Sequence, residues 1–319
     1  SRGLGDVYKR QRAMFPDTAY GFVSGGDPAS IPALTYEKYK RVYHRHYSAD
    51  NCCITLYGKM DMAEKLELLD RDYLSKMPKG TSRPQLTVQH EQAGACVELP
   101  YYTENPEPDE VQCALAWYTG AFADRERQLG VEILLDALLG TNNSPLKAAL
   151  LAEKLGADEK LGADIDIGFD DSTLQPTLEL VLRGATAETA PKFAAGVKQA
   201  VTDLLAGGIP EELLLASLNA MEFASLERPG SLPDGVLDAI YAATGWLHTG
   251  DPALLLHTDK LFASLRKKLS TGWFNDLLKD LLLAEPVQVI QTPVLPQKDE
   301  ENAAVSYTHL RAHETRSNL

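Results

Sequence analysis

The sequence predicts an α+β fold, with helices packed on one face of a mostly antiparallel sheet. Two strand-like runs, Cys96 to Leu99 and Val111 to Tyr118, come first. Two strictly alternating segments, Ala163 to Phe169 and Thr177 to Arg183, then indicate a hairpin. Helical patterns occupy most of the chain after Ala187. Strands and helices in this order are typical of α+β domains.

A turn and an amphipathic helix precede these strands. The run Ser24 to Pro28 contains two glycines, which permit positive φ, and a proline, which disfavours helix at the residue before it. Thr35 is placed to cap a helix whose one face is apolar. That face carries Tyr36, Tyr39, Val42, Tyr43 and Tyr47.

A strand and a second helix are expected next. Residues from Cys52 to Tyr57 alternate with the period of a strand. Asp61 and Glu64 have capping-box spacing, which predicts a helix that ends near Met77. The polar segment after Pro78 then indicates a domain boundary.

The second unit contains further predicted helices and a predicted β-hairpin. Asp124 to Leu139 is apolar over a broad face, which predicts a helix sandwiched between layers, and Ser144-Pro145 starts another that runs to Leu155. In the hairpin, Ile165, Ile167 and Phe169 of one strand and Leu178, Leu180 and Leu182 of the other are expected to face the core. Further helices are predicted at Ala187–Ala206, Pro210–Leu226, Leu232–His248 and within Asp251–Leu283, before a short strand at Val287–Ile290.

The first block resembles the end of the catalytic domain in zinc metallopeptidases of the insulinase superfamily, most closely the presequence-protease subfamily. There a "Y-G-x-x-S-G-G-D-P-x-x-I-P-x-L-T" run leads into a helix with His and Tyr, then a strand ending in "Y-G". The matching residues here are Tyr20-Gly21, Ser24 to Pro28, Ile31-Pro32, Leu34-Thr35, His44, Tyr47 and Tyr57-Gly58.

The second unit carries a less specific resemblance to the same family. Its matching runs are Leu138 to Leu150, Gly245-Trp246 and Leu269 to Phe274. The resemblance implies a metallopeptidase or processing-peptidase-like repeat, in which each half of the enzyme holds two homologous domains.

Both ends of the chain are expected not to be native. Ser1 to Gln11 and Val305 to Glu314 can be encoded by one oligonucleotide read in opposite directions, and that oligonucleotide resembles a sequencing adapter. We therefore expect an internal fragment. The expected division is adapter at 1–11, the C-terminal part of a catalytic peptidase domain at 12–80, a linker at 81–93, a second, non-catalytic homologous domain at 94–292, the start of an inter-half linker at 293–304, and adapter at 305–319.

Composition excludes several classes of function. The 319 residues are 44% hydrophobic and 24% charged, as in ordinary globular proteins, and their number suggests about two domains. The 45 acidic residues outnumber 31 lysines and arginines, for a formal charge of −14. Nucleic acid is therefore not an expected partner, and no apolar run reaches the length of a membrane span.

Four cysteines are expected to be free thiols. Cys52, Cys53, Cys96 and Cys113 show no C-x-x-C spacing, so neither a redox motif nor a zinc ribbon is indicated. Free thiols fit a reducing compartment, and we expect the cytoplasm.

The spacing of the histidines and carboxylates does not indicate a metal site. His44 and His46 are two apart on a helix and diverge, and His90-Glu91 lies in a polar linker. Asp164, Asp166, Asp170 and Asp171 lack EF-hand spacing. His309, His313 and Glu314 have helical metal-site spacing but fall in the adapter, and Asp299-Glu300-Glu301 reads as a solvated linker.

Nucleophile and phosphate motifs are also missing. Ser24-Gly25-Gly26 has no following Lys-Ser/Thr pair, so a turn is preferred to a phosphate loop. Ser172, Ser225 and Ser270 do not lie in a G-x-S-x-G elbow.

The resemblance implies chemistry that this sequence does not contain. In the family, a His-x-x-Glu-His motif and a distal Glu supply zinc ligands and a general base, and zinc lowers the pKa of its bound water. No such motif occurs in the 319 residues, so we assign no catalytic, cofactor-binding or metal-ligating residue to this chain and expect the zinc site upstream.

The resemblance thus implies a scaffold fragment of a zinc endopeptidase that degrades unfolded peptides in a closed chamber. Its expected partners are peptide substrates and the missing N- and C-terminal parts of the same chain. The alternatives are a non-catalytic core subunit of the same fold and an unrelated α+β binding domain. The loss of upstream residues should also leave the face of Tyr36, Tyr39 and Tyr43 exposed.

Overall fold

The computed structural model describes residues 2–23, 25–27, 30–77, 85–90, 92–152, 160–227 and 232–295, and for residues 2–7 the backbone alone. These residues form ten α-helices and one five-stranded sheet. The helices are α1 (Arg2–Met14), α2 (Tyr36–His46), α3 (Met62–Asp72), α4 (Arg125–Leu139), α5 (Pro145–Leu151), α6 (Phe193–Gly207), α7 (Glu211–Glu227), α8 (Asp234–Thr249), α9 (Asp259–Lys268) and α10 (Trp273–Leu282).

The strands form a mixed but mostly antiparallel sheet. They are β1 (Cys96–Tyr102), β2 (Val111–Tyr118), β3 (Asp164–Asp170), β4 (Thr177–Ala185) and β5 (Val287–Val294). Their order is β1-β5-β2-β4-β3, and only the β1–β5 pair is parallel. The sheet and its helix layer confirm the predicted α+β fold.

The first face of the sheet packs against the main helix layer. Cys113, Leu115 and Trp117 of β2 alternate onto this face, together with Leu178, Leu180 and Leu182 of β4. α4 lies within the layer and is buried along most of its length, with α5, α7, α9 and α10 around it. The predicted burial of this helix is therefore confirmed. It contributes the apolar stabilisation expected of a core helix.

The second face of the sheet is partly covered by α1 and the residues that follow it. Ala114 and Ala116 of β2, Val181 of β4, and Val287 and Val289 of β5 pack there against Met14 and Phe15. Small side chains on β2 let the covering segment approach the sheet closely. The sheet is thus buried on both faces over its central strands.

The β3–β4 hairpin has the register that alternation predicts. Ile165 lies opposite Leu182, Ile167 opposite Leu180, and Phe169 opposite Leu178. Because opposite residues in an antiparallel pair share a face, all six side chains point to the helix layer. Ile165 and the three leucines are fully buried, and Ile167 and Phe169 pack against the same core.

Three helices begin at a capping side chain, and two of these caps, Thr35 and Asp61, are the predicted ones. The side chain of Thr35 accepts a hydrogen bond from the Lys38 backbone N–H, and Asp61 accepts one from that of Glu64. Asp124 does the same for Arg127 at the start of α4. Each cap satisfies a helix donor that would otherwise lack a partner.

The prediction of a strand at Cys52 to Tyr57 was wrong. These residues have no regular secondary structure, and no described strand lies beside them. Alternation marks a segment that can become a strand, but the strand forms only if a partner supplies the ladder of hydrogen bonds. The other differences concern helix ends: α3 stops at Asp72, followed by a 3-10 turn, and α6 starts at Phe193 rather than Ala187.

Helices α4 and α10 are in unusually close contact. A methyl group built on Gly130 of α4 would lie 2.4 Å from Cη2 and 2.7 Å from Cζ3 of the Trp273 indole. Only glycine fits at this position.

Among the described helices, none combines the length and apolar character needed to cross a membrane.

Candidate functional site

The histidines considered as ligands do not form a metal site. His44 and His46 both lie in the last turn of α2, two residues apart, where helix geometry directs their side chains away from each other. His90 is exposed, as expected for a solvated segment, and its carbonyl accepts a hydrogen bond from the Gln92 side chain at 2.8 Å. Glu91 lies outside the described residues.

The four aspartates of the hairpin each have a separate partner. Asp164 pairs with Lys147 at 3.2 Å, and its pKa is lowered by the Ile165 backbone N–H and by that lysine. Asp166 pairs with Arg183 across the hairpin. Asp170 and Asp171 are engaged by the Ser172 hydroxyl and by Arg125. The carboxylates are used singly, so the arrangement does not offer the shared oxygen cage that calcium needs.

The predicted turn at the first block is present where it is described. Gly26 has φ of 82°, and its N–H donates to the Val23 carbonyl at 3.0 Å. The Ser30 hydroxyl donates to Asp27 at 2.6 Å. Ser24 and Pro28 lie outside the described residues.

The candidate serines are not activated as nucleophiles. The Ser172 hydroxyl donates to Asp170 at 2.6 Å, and His248 Nε2 lies 2.7 Å from the Ser172 carbonyl rather than the hydroxyl. The Ser225 hydroxyl donates to the Glu222 carbonyl, which is a local helix contact. Ser270 lies in a 3-10 turn. The Asp170 carboxylate that accepts from Ser172 lies two residues away in the same turn, and His248 contacts the Ser172 carbonyl, so the hydroxyl is not paired with a histidine in the manner of a catalytic serine.

The zinc that the fold family implies does not fit the described residues. Within them, no group of three or more His, Cys, Asp or Glu side chains could hold a metal ion. A protein zinc site uses three or four such ligands. His309, His313, Glu314 and Asp299 to Glu301 lie outside the described residues.

The structure brings together Asp17, Gln89 and Gln175 in a polar contact, here called the glutamine clasp, in which the two glutamines are buried and Asp17 is exposed. The Gln89 backbone N–H donates to Gln175 Oε1 at 2.6 Å, and Gln175 Nε2 donates back to the Gln89 carbonyl at 3.1 Å. The Asp17 N–H donates to Gln89 Oε1, and Gln89 Nε2 donates to Asp17 Oδ2, both at 2.9 Å. The clasp joins the segment after α1, the predicted linker and the β3–β4 turn.

Two tyrosines extend this junction on the second face of the sheet. The Tyr118 hydroxyl donates to the Met14 carbonyl, and the Tyr20 hydroxyl accepts from the Leu174 N–H at 3.0 Å. Partial burial raises the pKa of Tyr20, so it stays protonated. The Phe15 ring packs edge-on against Tyr118, with centroids 5.8 Å apart. Sequence reasoning missed this junction because its partners are distant in the chain.

A buried arginine completes the contacts of α1. Arg10 Nε donates to Glu179 at 3.1 Å, and its Nη1 donates to Gln291 Oε1 at 3.3 Å. Glu179 lies on β4 and Gln291 on β5, so the arginine bridges two strands on the second face. α1 also spans residues 11 and 12, where the expected adapter-derived segment meets the expected native sequence.

The aromatic face of α2 is an exposed apolar surface. Tyr36, Tyr39, Tyr43 and Tyr47 are 71%, 62%, 44% and 62% exposed. Tyr43 and Tyr47 stack with centroids 4.3 Å apart. The expected exposure of this face is confirmed. Its tyrosines stand between Lys38, Lys40, Arg41 and Arg45, a combination common in protein interfaces.

Comparisons with known proteins agree with the fold. Among curated proteins, the chain is 29% identical over 279 residues to protein HypA of Clostridium perfringens, covering 86% of the chain and 28% of HypA. It is 27% identical to the mitochondrial presequence protease of Danio rerio, covering 81% of the chain and 25% of that protein. The chain therefore spans about a quarter of the length of these relatives.

Solved structures share the fold at low identity. A peptidase M16 inactive domain from Pseudomonas fluorescens matches with a TM-score of 0.66 and 17% identity, over 92% of this chain and 65% of that one. The ferredoxin protease FusC, solved with Arabidopsis ferredoxin, matches with a TM-score of 0.61 and 17% identity, over 93% of this chain and 30% of that one.

A family model gives the assignment. The model of the peptidase M16 inactive domain matches residues 33–221, more than half of the chain. The matched span includes α2 and α3, the buried helix α4 and strands β1 to β4. The chain belongs to the peptidase M16 inactive-domain family.

Proposed function

We propose that this chain forms wall and scaffold of a zinc-dependent endopeptidase that degrades unfolded peptides inside a closed chamber. The observation that carries the proposal is the match of residues 33–221 to an inactive peptidase domain. In this proposal the zinc ligands and the general base come from residues upstream of Ser24.

The relatives support the proposal through their names and lengths. Several are presequence proteases, from Danio rerio, Arabidopsis thaliana and other organisms. Each is about four times as long as the segment that matches this chain, which leaves room for a catalytic domain and a second half. Selection of substrate by size and extended conformation would follow from enclosure in a chamber.

The exposed face of α2 supports a contact with a further part of the same polypeptide. Tyrosine and arginine are enriched at protein interfaces. Tyrosine buries a large area at a small cost in side-chain entropy, and arginine donates several hydrogen bonds. Contiguous exposed apolar patches often mark interaction sites. We propose that the remainder of the catalytic domain covers this face.

The domain division remains part of the proposal. Residues 12–80 would be the end of the catalytic domain, 81–93 a linker, and 94–292 the second domain, followed by an inter-half linker at 293–304. If residues 1–11 and 305–319 are adapter-derived, the bridge from Arg10 to Glu179 and Gln291 is not native. In the native protein, a different donor from the upstream residues would then satisfy the half-buried Glu179 and the buried Gln291.

The compartment is proposed from the thiols. All four cysteines are free, and Cys52, Cys53 and Cys96 are exposed. Exposed thiols persist as such in a reducing environment. The cytoplasm fits this requirement, while the presequence proteases named above are mitochondrial or, in Arabidopsis, chloroplastic and mitochondrial.

The experiment is to extend the coding sequence upstream in the gene from which this chain derives and to express the full-length product. The coding sequence upstream of Ser24 should contain His-x-x-Glu-His about a hundred or more residues earlier, a distance set by ordinary domain lengths. The full-length product should bind one zinc and cleave an unstructured peptide. A folded protein too large for the chamber should stay intact.

Two controls separate the proposal from its alternative, a non-catalytic core subunit of the same fold. Replacing the motif glutamate by glutamine should abolish cleavage while zinc stays bound, because the glutamate acts on the metal-bound water. An intact upstream coding sequence without the motif would reject the peptidase and leave the core-subunit function.

A further inference from the structure

Helix α8 is rich in apolar residues but buries none of their side chains. Among its sixteen residues, Val236, Ile240 and Leu247 are 45%, 47% and 46% exposed. The buried positions of this helix are two glycines, Gly235 and Gly245. By contrast, the ten-residue helix α10 buries five large apolar side chains. A helix as apolar as α8 is normally covered, so one side of it lacks a partner in this chain.

The exposed apolar residues of α8 have the spacing of a helix–helix seam. Val236, Ile240, the partly buried Ala243 and Leu247 follow one another at steps of four, three and four residues. This spacing places them on one narrow stripe of the helix. Leu232, which is 50% exposed, extends the stripe by one more step of four. A narrow stripe is typical of a helix that packs against a single other helix.

Both ends of α8 are held against the chain. A methyl group built on Gly235 would lie 1.9 Å from Cδ1 of Tyr57, so the tyrosine ring lies directly on the start of the helix. At the other end, the His248 ring packs on Phe122 with centroids 4.4 Å apart, and its Nε2 lies 2.7 Å from the Ser172 carbonyl oxygen. The stripe between these contacts is therefore a fixed surface that faces solvent.

The exposed apolar area is large enough for a dimer interface. The stripe and the end of α7 together form a surface, here called the α8 face. Its large apolar residues are Phe223, Leu226, Leu232, Val236, Ile240 and Leu247. From their exposed fractions, and with about 150–250 Å² for a large apolar side chain, they offer about 600 Å². A stable dimer takes about 800 Å² from each partner, and a little over half of that area is apolar.

The charges of α8 favour an antiparallel pair of identical helices. Its two aspartates, Asp234 and Asp238, lie in the first half of the helix, and residues 242–249 include no acidic side chain. In a parallel pair, each aspartate would lie beside its own counterpart, which is unfavourable. In an antiparallel pair, each aspartate lies beside the half of the other helix that has no acidic residue.

The side-chain sizes along the stripe fit the same orientation. Inversion about the middle of the stripe places Ile240 opposite Ala243 of the other copy and Val236 opposite Leu247. A large side chain then meets a small one at the centre of the seam, which lets the two helices approach closely.

We propose that a second copy of this chain packs on the α8 face, with the two α8 helices antiparallel. Each copy contributes the same surface, as a two-fold dimer requires. The proposal goes beyond the scaffold function and does not rest on it. Its test is the oligomeric state, which is independent of zinc binding and peptide cleavage.

The test measures the mass of the whole chain in solution by size-exclusion chromatography with light scattering, at about 50 μM protein. The unmodified chain should give twice the 34.9 kDa of a single chain. The variant I240E/L247E places two charges in the apolar seam and should dimerise at least about tenfold more weakly, so the mass should fall toward that of one chain.

The matched control is Y36E/Y39E, which adds the same charge at two exposed apolar positions of α2, outside the α8 face. It should remain dimeric. Circular dichroism of both variants should match the unmodified chain, because all four side chains are exposed. An unmodified chain with the mass of a monomer, or a dimer that survives I240E/L247E, would overturn the proposal. Equal dissociation in the control would also overturn it.

A mixture of two single variants tests the orientation. I240E and A243K should each be monomeric alone, because each places a charge against an apolar residue of an identical copy. In an equimolar mixture, antiparallel helices bring the new carboxylate beside the new ammonium group and leave the second contact of Ile240 with Ala243 unchanged. The mixture should therefore return to the dimer mass. A mixture that stays monomeric would rule out the antiparallel pairing.

Discussion

Gln89 and Gln175 bond each other reciprocally, backbone to side chain in both directions, although 86 residues separate them. Both are nearly inaccessible, at 2% and 8% exposure. Because buried backbone groups must find partners, Gln175 replaces the strand that the Gln89 segment lacks. The contact anchors the segment before β1 to the β3–β4 turn.

Replacing Gln175 by alanine should destabilise the chain by about 1–3 kcal/mol, since the Gln89 N–H and carbonyl lose their partners. Thermal or urea unfolding measures the change. The matched control is Q199A, because Gln199 makes an exposed hydrogen bond to Asp203 within α6. That control should cost less than about 0.5 kcal/mol. Equal effects of the two substitutions would show that the clasp carries no particular stability.

Replacing Gly130 by alanine should also destabilise the chain, although a glycine-to-alanine change inside a helix usually stabilises it. In a helix interior this change normally gains up to about 1 kcal/mol. Here the added methyl would clash with the Trp273 ring, so overpacking should cost about 1–3 kcal/mol. The comparison is G207A at the end of α6, where nothing lies within 4 Å, and where a gain of about 0.4–1 kcal/mol is expected. If G130A proved as stable as G207A, the close contact with α10 would be wrong.

The four thiols should differ in reactivity. Burial raises the pKa of Cys113 to about 12, partly offset by the hydrogen bond from the Gln288 side chain. The thiolate is the reactive form, so Cys113 should be inert at pH 8. Titration with a thiol reagent at that pH should count three cysteines in the native chain and four in guanidinium chloride. Four fast thiols in the native chain would contradict the burial of β2.

Acid should weaken the chain partly through Glu126. Hydrogen bonds from Lys268 and Ser264 lower the pKa of Glu126 below its ordinary value. Ionised Glu126 therefore stabilises the folded chain fully above its pKa in the unfolded chain, about 4.3. This stabilisation is lost as the pH falls through the lower pKa of Glu126 in the folded chain. The variant E126Q should show a shallower loss of unfolding free energy between about pH 5 and 3.

The exposed Glu98 of β1 provides the comparison for that experiment. E98Q removes the same charge without a Lys268 partner, so its pH dependence should follow that of the unmodified chain. A curve for E126Q that coincides with the curve for E98Q would exclude a stabilising role for the Glu126–Lys268 contact.

Local signals predicted much of this fold. Thr35 and Asp61 marked helix starts because a cap acts on residues two or three positions away. The alternation at Ile165 and Leu182 indicated the hairpin, whose partners are close in sequence. These features depend on nearby residues, which a single sequence displays.

Features that depend on distant partners were not predictable in the same way. Cys52 to Tyr57 has strand alternation but no strand beside it, and the parallel pairing of β1 with β5 joins the two ends of the second unit. The glutamine clasp left no signal in composition or spacing.

The central claim is that this chain is a scaffold whose zinc ligands lie elsewhere. The direct measurement is the zinc content of the purified chain after dialysis against a chelator, refilling with zinc and removal of free metal. We expect far less than one zinc per chain, with no change in H44A/H46A. One tightly bound zinc per chain, lost in that variant, would contradict the claim.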